Sequence, residues 1–175
     1  MTSSADLKPY IIFGYGSLIW KNPGRVVTLI HKEDWDHFSA SDAFPEEDIV
    51  WGVAHTIDPA QADEVREYLD YREKDGYTVE STDVYGVVNG EEEALIQGAT
   101  VYVGRPDNPS FIGSQPIEDL AQRIFRSVGP SGKNSVYLYE LANAVRKLAP
   151  ESFDSHLFAL EKRVKELEEE TLNRS

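Results

Sequence analysis

Along the chain, apolar positions group first into short runs and later into helical stripes. Tyr10 to Phe13 (YIIF) reads as a short buried strand that leads into Gly14-Tyr15-Gly16-Ser17, a tight turn with two glycines. Val26 to Ile30 (VVTLI) predicts a second strand, Lys32 to Asp48 is acidic and aperiodic and predicts an exposed loop, and Ile49 to Ile57 is β-rich. Asp58-Pro59 opens a helix in one of two ways. Either Asp58 caps it with Pro59 in the first turn, or Pro59 belongs to the preceding turn and the helix starts near Ala62. Val65, Leu69 and Tyr68 would give its apolar face, and it should end near Tyr71-Arg72-Glu73, before Asp75-Gly76. Tyr77 to Val88 and Glu91 to Val103 then alternate as strands about Asn89-Gly90, a strong hairpin signal. After a loop from Arg105 to Pro116, three helical patterns follow: Pro116 to Val128, Ser135 to Leu148, and Phe153 to Asn173 with a charged outer face. Strands first and helices last predict an α+β fold with a mostly antiparallel sheet or small barrel.

At 175 residues and 41% apolar content, the chain suits one domain spanning 1–175 with one packed core. No apolar run is long enough to span a membrane, and Met1 to Lys8 does not resemble a signal peptide. Cysteine is absent, which excludes disulfides, a thiol nucleophile and thiolate-bound metal, and makes a cytoplasmic or nuclear location the expectation. The net charge of −14 argues against nucleic acid as a partner. It leaves room for an anionic small molecule, because a local group of backbone N–H donors can outweigh the global field. Nothing in the pattern fixes an oligomeric state.

Several groups are candidates for chemistry. Around Gly14 and Gly16, consecutive N–H groups could face a carboxylate or oxyanion, although a plain β-turn fits the same residues; Ile19 stands where a dinucleotide loop needs its third glycine. Taken alone, Glu73 reads as a solvated helix end paired with a neighbouring base, and Asp63-Glu64 reads the same way. His31, His37, His55 and His156 show no metal-ligand spacing, and His156 fits core packing in the last helix. Ser17 lacks the surroundings of a nucleophile elbow. Gly129-Pro130-Ser131-Gly132-Lys133-Asn134 fails the phosphate-loop spacing and reads as a helix-to-helix turn, with Ser131 or Asn134 as the next cap.

Four segments, IIFGYGSLIWK (11–21), NPGRVVTLI (22–30), VREYLDYREKDGY (65–77) and GPSGKNSVYLYELANAVRKL (129–148), together resemble the ChaC-type glutathione-specific γ-glutamylcyclotransferases. The phrases VWGVAH, VYVGRPDNPSFIG and SHLFALEKRV extend the resemblance over nearly the whole chain. The resemblance implies a small β-barrel flanked by helices, and an enzyme that splits glutathione into 5-oxoproline and Cys-Gly with no cofactor and no metal. It assigns Glu73 as general acid/base and Ile12, Phe13, Gly14, Tyr15, Gly16, Ser17 and Leu18 as the substrate segment. The N–H groups of Gly16 and Ser17 would be oxyanion donors, Glu64 would match a second acidic position tied to activity, and Tyr137 would line the pocket. One departure stands out: Lys21 runs directly into Asn22, where the family carries a stretch of roughly thirty residues. A cyclotransferase for other γ-glutamyl peptides or amines, and a binding protein that has lost turnover through that shortening, are the competing readings.

Overall fold

The structure, a computed structural model, describes residues 9–15, 27–38, 44, 49–73, 76–108, 111, 113–129, 132–150, 152 and 154–173. It divides into two compact units, one of Met1–Gly14 with Val53–Phe111, the other of Tyr15–Gly52 with Ile112–Ser175.

The first unit is a four-stranded sheet in the order β2-β1-β4-β3, with one helix. Strand β1 (Tyr10–Gly14) pairs antiparallel with β2 (Val53–Ile57), setting Ile12 against His55 and Gly14 against Val53. Its other edge meets β4 (Glu91–Gly104) in parallel, at Ile12 and Thr100. Strand β3 (Tyr77–Val88) pairs antiparallel with β4. Asn89 and Gly90 turn the hairpin with φ of 54° and 87°, the two positive values that suit a type I′ turn. The register shifts between Thr82 and Tyr85, where the Asp83 carboxylate accepts the N–H of Gly98 at 2.9 Å and Gly98 takes a φ of 71°. Only glycine adopts that value without strain. Ile12, Phe13, Leu69, Ala99, Val101, Tyr102 and Val103 are buried here. Asp58 accepts the N–H of Ala60 and starts a 3-10 turn over Pro59–Gln61, from which helix α2 (Ala62–Arg72) continues, so both predicted openings have a counterpart. Within α2, Leu69 is buried and Val65 half-buried, but Tyr68 is exposed.

The second unit is helical. Helix α1 (Lys32–Phe38) forms where a loop was expected. It lacks a buried stripe to announce it; Lys32 pairs with Asp36, Glu33 and Asp34 favour its first turn, and Phe38 lies near Gly113. The strand expected over Val26 to Ile30 does not form at 27–30, where the N–H of Val27 donates to the Tyr137 hydroxyl at 3.2 Å instead of to a ladder. Helix α3 (Ile117–Arg126) stops short of Val128 because Ser127 turns extended. Val128–Gly129 (β5) then pairs with Gly132–Lys133 (β6), giving the Gly129 to Gly132 turn its own small hairpin. Helix α4 (Asn134–Leu148) has Lys133 at its N-cap with no side-chain cap; the alternative cap Asn134 lies inside the helix, and Ser131 falls outside the described residues. Helix α5 (Ser155–Leu172) is capped by Asp154. The stripes of α3, α4 and α5 meet in one core, with Ala121, Ala142 and Val164 fully enclosed. His156 meets the Phe44 ring edge-on, in keeping with a packing role.

The fold is α+β, as the element order indicated. Its four long strands form an open sheet among the described residues, without the closure of a barrel.

Candidate active site

Glu73 follows the last residue of α2, and its N–H closes the final turn on the Leu69 carbonyl at 2.8 Å. Its side chain is only 13% exposed, so Glu73 is not the solvated helix end that its sequence surroundings alone suggest. The neighbouring base is present: Arg72 Nε stands 3.2 Å from Glu73 Oε1. Burial raises the proton affinity of Glu73, and the Arg72 guanidinium lowers it; burial prevails, and the carboxyl sits above the ordinary glutamate range. A carboxyl whose proton affinity is raised in this way is better suited to proton transfer than an ordinary surface glutamate.

Beside it, the Tyr102 hydroxyl donates to Asp70 Oδ1 at 2.8 Å. Burial pushes the Tyr102 phenol up, with further increments from Asp70, Tyr10 and Glu73, so these four groups share one electrostatic neighbourhood. Arg66 covers the Tyr10 ring at 4.7 Å. Asp70 and Tyr102 were not picked out from the sequence. Their signal was the spacing of Asp70 and Glu73, three residues apart on a helix, and the alternation that puts Tyr102 on the same sheet face as Thr100.

The other candidates distribute as follows. Ile12, Phe13 and Gly14 are buried in β1, where Gly14 serves as strand opposite Val53. Tyr15 is buried and belongs to the second unit, while Gly16, Ser17 and Leu18 lie outside the described residues. Glu64 is exposed in the first turn of α2. Nine residues of helical rise separate it from Glu73, about 13 Å, so the two acids are not brought together. Tyr137 is buried in the second unit, its hydroxyl accepting from Val27. Among the described residues, no group of three His, Asp or Glu is placed to hold a metal ion, and no helix is long and apolar enough to cross a membrane.

Similarity to known proteins places the chain in a family. The model of the ChaC-like protein family matches residues 21–167. This chain belongs to the ChaC-like family. Among ChaC-like relatives, the glutathione-specific γ-glutamylcyclotransferase of Schizosaccharomyces pombe is 37% identical over 192 aligned positions, covering 91% of this chain and 94% of its own. That of Saccharomyces cerevisiae is 34% identical, covering 80% of this chain and 77% of its own. A crystal structure of a γ-glutamyl cyclotransferase specific to glutathione from yeast superposes with a TM-score of 0.71 at 28% identity, over 91% of this chain and 99% of the other. The alignment with the S. pombe protein takes in about 159 of the 175 residues here, so about 33 of its 192 positions have no residue in this chain.

Proposed function

We infer that this ChaC-like chain is a glutathione-specific γ-glutamylcyclotransferase, an enzyme that releases 5-oxoproline and Cys-Gly from glutathione. The single observation that carries the chemistry is the largely shielded carboxyl of Glu73, whose proton affinity is raised by its surroundings. In the reaction the α-amine of the glutamyl group attacks its own γ-amide carbonyl. The new C–N bond closes a five-membered ring, and the bond to the cysteine nitrogen breaks. The attack is intramolecular, so holding the glutamyl chain folded removes much of the orientation cost. Before attack the amine must give up a proton, and the leaving amine must gain one. Glu73 takes the first and delivers the second, a role worth roughly 10²–10⁴-fold in rate. The carbonyl oxygen gathers negative charge, which the Gly16 and Ser17 N–H groups would stabilise; one such donor is typically worth about 2.7–4 kcal/mol. The remaining substrate-binding assignments, Ile12 to Tyr15, Leu18, Glu64 and Tyr137, follow the family resemblance. So does the small barrel, whose closure needs more strands than the four long ones here.

Incubation with glutathione, with 5-oxoproline and Cys-Gly as readouts, tests the assignment. Glu73→Gln keeps shape and removes the titrating proton, so kcat should fall by at least about a hundredfold with the fold intact. Gly16→Val, run alongside, should weaken glutathione binding by placing a side chain where close approach is needed. Near-normal turnover by Glu73→Gln removes Glu73 from the mechanism. The absence of about 33 aligned positions favours one second reading, a γ-glutamyl-binding protein without turnover. Glutathione that binds the pure protein and is never cleaved would establish it.

A further inference from the structure

Asp70 and Tyr102 occupy a particular place in the first unit. Strands β1 and β4 meet at Ile12 and Thr100, and two residues beyond that pair stand Gly14, where the proposed substrate segment leaves the sheet, and Tyr102. Tyr102 is 2% exposed, and the hydroxyl of Tyr10, from the neighbouring strand, is also buried. Asp70 reaches Tyr102 from the last turn of α2, the turn that the Glu73 N–H closes on Leu69. The chain leaves helical geometry at Glu73, with φ of −99° and ψ of 12°. A residue in that position has no following helical turn to hold its side chain in place. Its direction depends on what fixes the turn before it. On one side that is buried Leu69; on the other it is the Asp70–Tyr102 hydrogen bond.

We propose that the Asp70–Tyr102 hydrogen bond is the positioning device of Glu73, tying the end of α2 to β4 so that the Glu73 carboxyl stays enclosed and aimed at the substrate amine. The proposal rests on Glu73 being the proton-transferring group. Among the described residues, the charged and titratable groups of this neighbourhood include Arg66, Asp70 and Arg72 of α2, Tyr10 of β1 and Tyr102 of β4. Glu73 weighs on the Tyr102 phenol together with Asp70, which agrees with both acids lying close to its hydroxyl. Tyr102 and Asp70 need not touch substrate for this role.

The test is a set of variants in the full chain, read by steady-state kinetics with glutathione across pH. Tyr102→Phe keeps the ring in the core and deletes only the hydroxyl. It should lower kcat about tenfold with KM within about twofold, because aim is lost and binding is not. The acidic limb of its pH profile should move down toward the ordinary glutamate value as water reaches Glu73. Asp70→Ala should match it, and the double variant should be no worse than either single, since both remove the same bond. Asp70→Asn keeps an acceptor for the hydroxyl and should recover kcat to within about threefold of the parent. An unchanged kcat in Tyr102→Phe, additive losses in the double variant, or a lower melting temperature with an unmoved acidic limb overturns the proposal. Glu73→Gln separates the two claims: if it is inactive while Tyr102→Phe is normal, only the positioning role falls, and if it is fully active, both fall.

Discussion

At the scale of single residues, the decisive contest is between burial and an adjacent guanidinium at Glu73. The Arg72 pair alone would hold this carboxyl below its usual range, and the net shift is upward. That sign has a consequence for stability. An acid whose folded pKa is raised binds more proton in the folded state than in the unfolded one, so stability falls as pH rises from the unfolded value of 4.5 through the folded one. Glu73→Gln carries no charge in either state and should therefore be more stable than the parent at pH 7. The advantage should vanish below the unfolded value, which melting curves across pH will read. A melting temperature at pH 7 below the parent's would mean that Arg72 outweighs desolvation. Arg72 and Glu73 are adjacent in sequence, so the pairing was legible; the burial that decides the contest was not, because it comes from the folded surroundings of a helix end.

At the scale of elements, what could be read depended on whether an element's partner lies in its own periodicity. The β3–β4 hairpin announced itself through alternation and Asn89-Gly90, and α4 and α5 through stripes that fill one core. Helix α1 buries no residue, so its sequence carried no stripe to find. The four residues Val27 to Ile30 are too short for periodicity to separate a strand from an irregular apolar segment, and the first of them bonds to a tyrosine 110 positions away. Between α4 and α5, Arg146 donates to Glu161, which is 5% exposed and also accepts from Lys165 at 2.8 Å. The Arg146 hydrogen bond, then Lys165, hold the Glu161 carboxyl below its usual range against the opposing effect of burial. That stability is present above 4.5 and lost as pH falls through the depressed value. Arg146→Met leaves an enclosed carboxylate with one partner. It should cost about 1–3 kcal/mol in urea unfolding at pH 7, less than a fully broken buried pair because Lys165 remains. No shift in the midpoint would mean that Lys165 suffices.

At the scale of the whole molecule, the net charge of −14 meets a substrate that is itself an anion at neutral pH. Like charges slow encounter, and salt screens them: the Debye length shrinks from about 30 Å at 0.01 M to about 8 Å at 0.15 M. With glutathione well below saturation, kcat/KM should rise over that range. A fall would show that local donors set the field at the site. The family was legible from motifs distributed along nearly the whole chain, while the site was legible only in part. The motifs named Glu73, while the hydrogen-bonded pair beside it comes from a helix and a strand, thirty-two positions apart.

The kink at Asp83 and Gly98 has a consequence for how this protein behaves among its copies. Strand β3 lies at the edge of its sheet and shows Val79, Tyr85 and Val87 to solvent, with Leu95 beside them on β4. Twelve flat residues of that kind would offer an incoming chain an unbroken ladder. From Thr82 to Tyr85, β3 advances three residues while β4 runs five, from Ala99 to Ala94; the extra residues sit on β4 and add twist to the ladder beside the edge. A carboxylate and one left-handed glycine thus make the edge a more twisted, poorer template for a second copy than a flat strand would be.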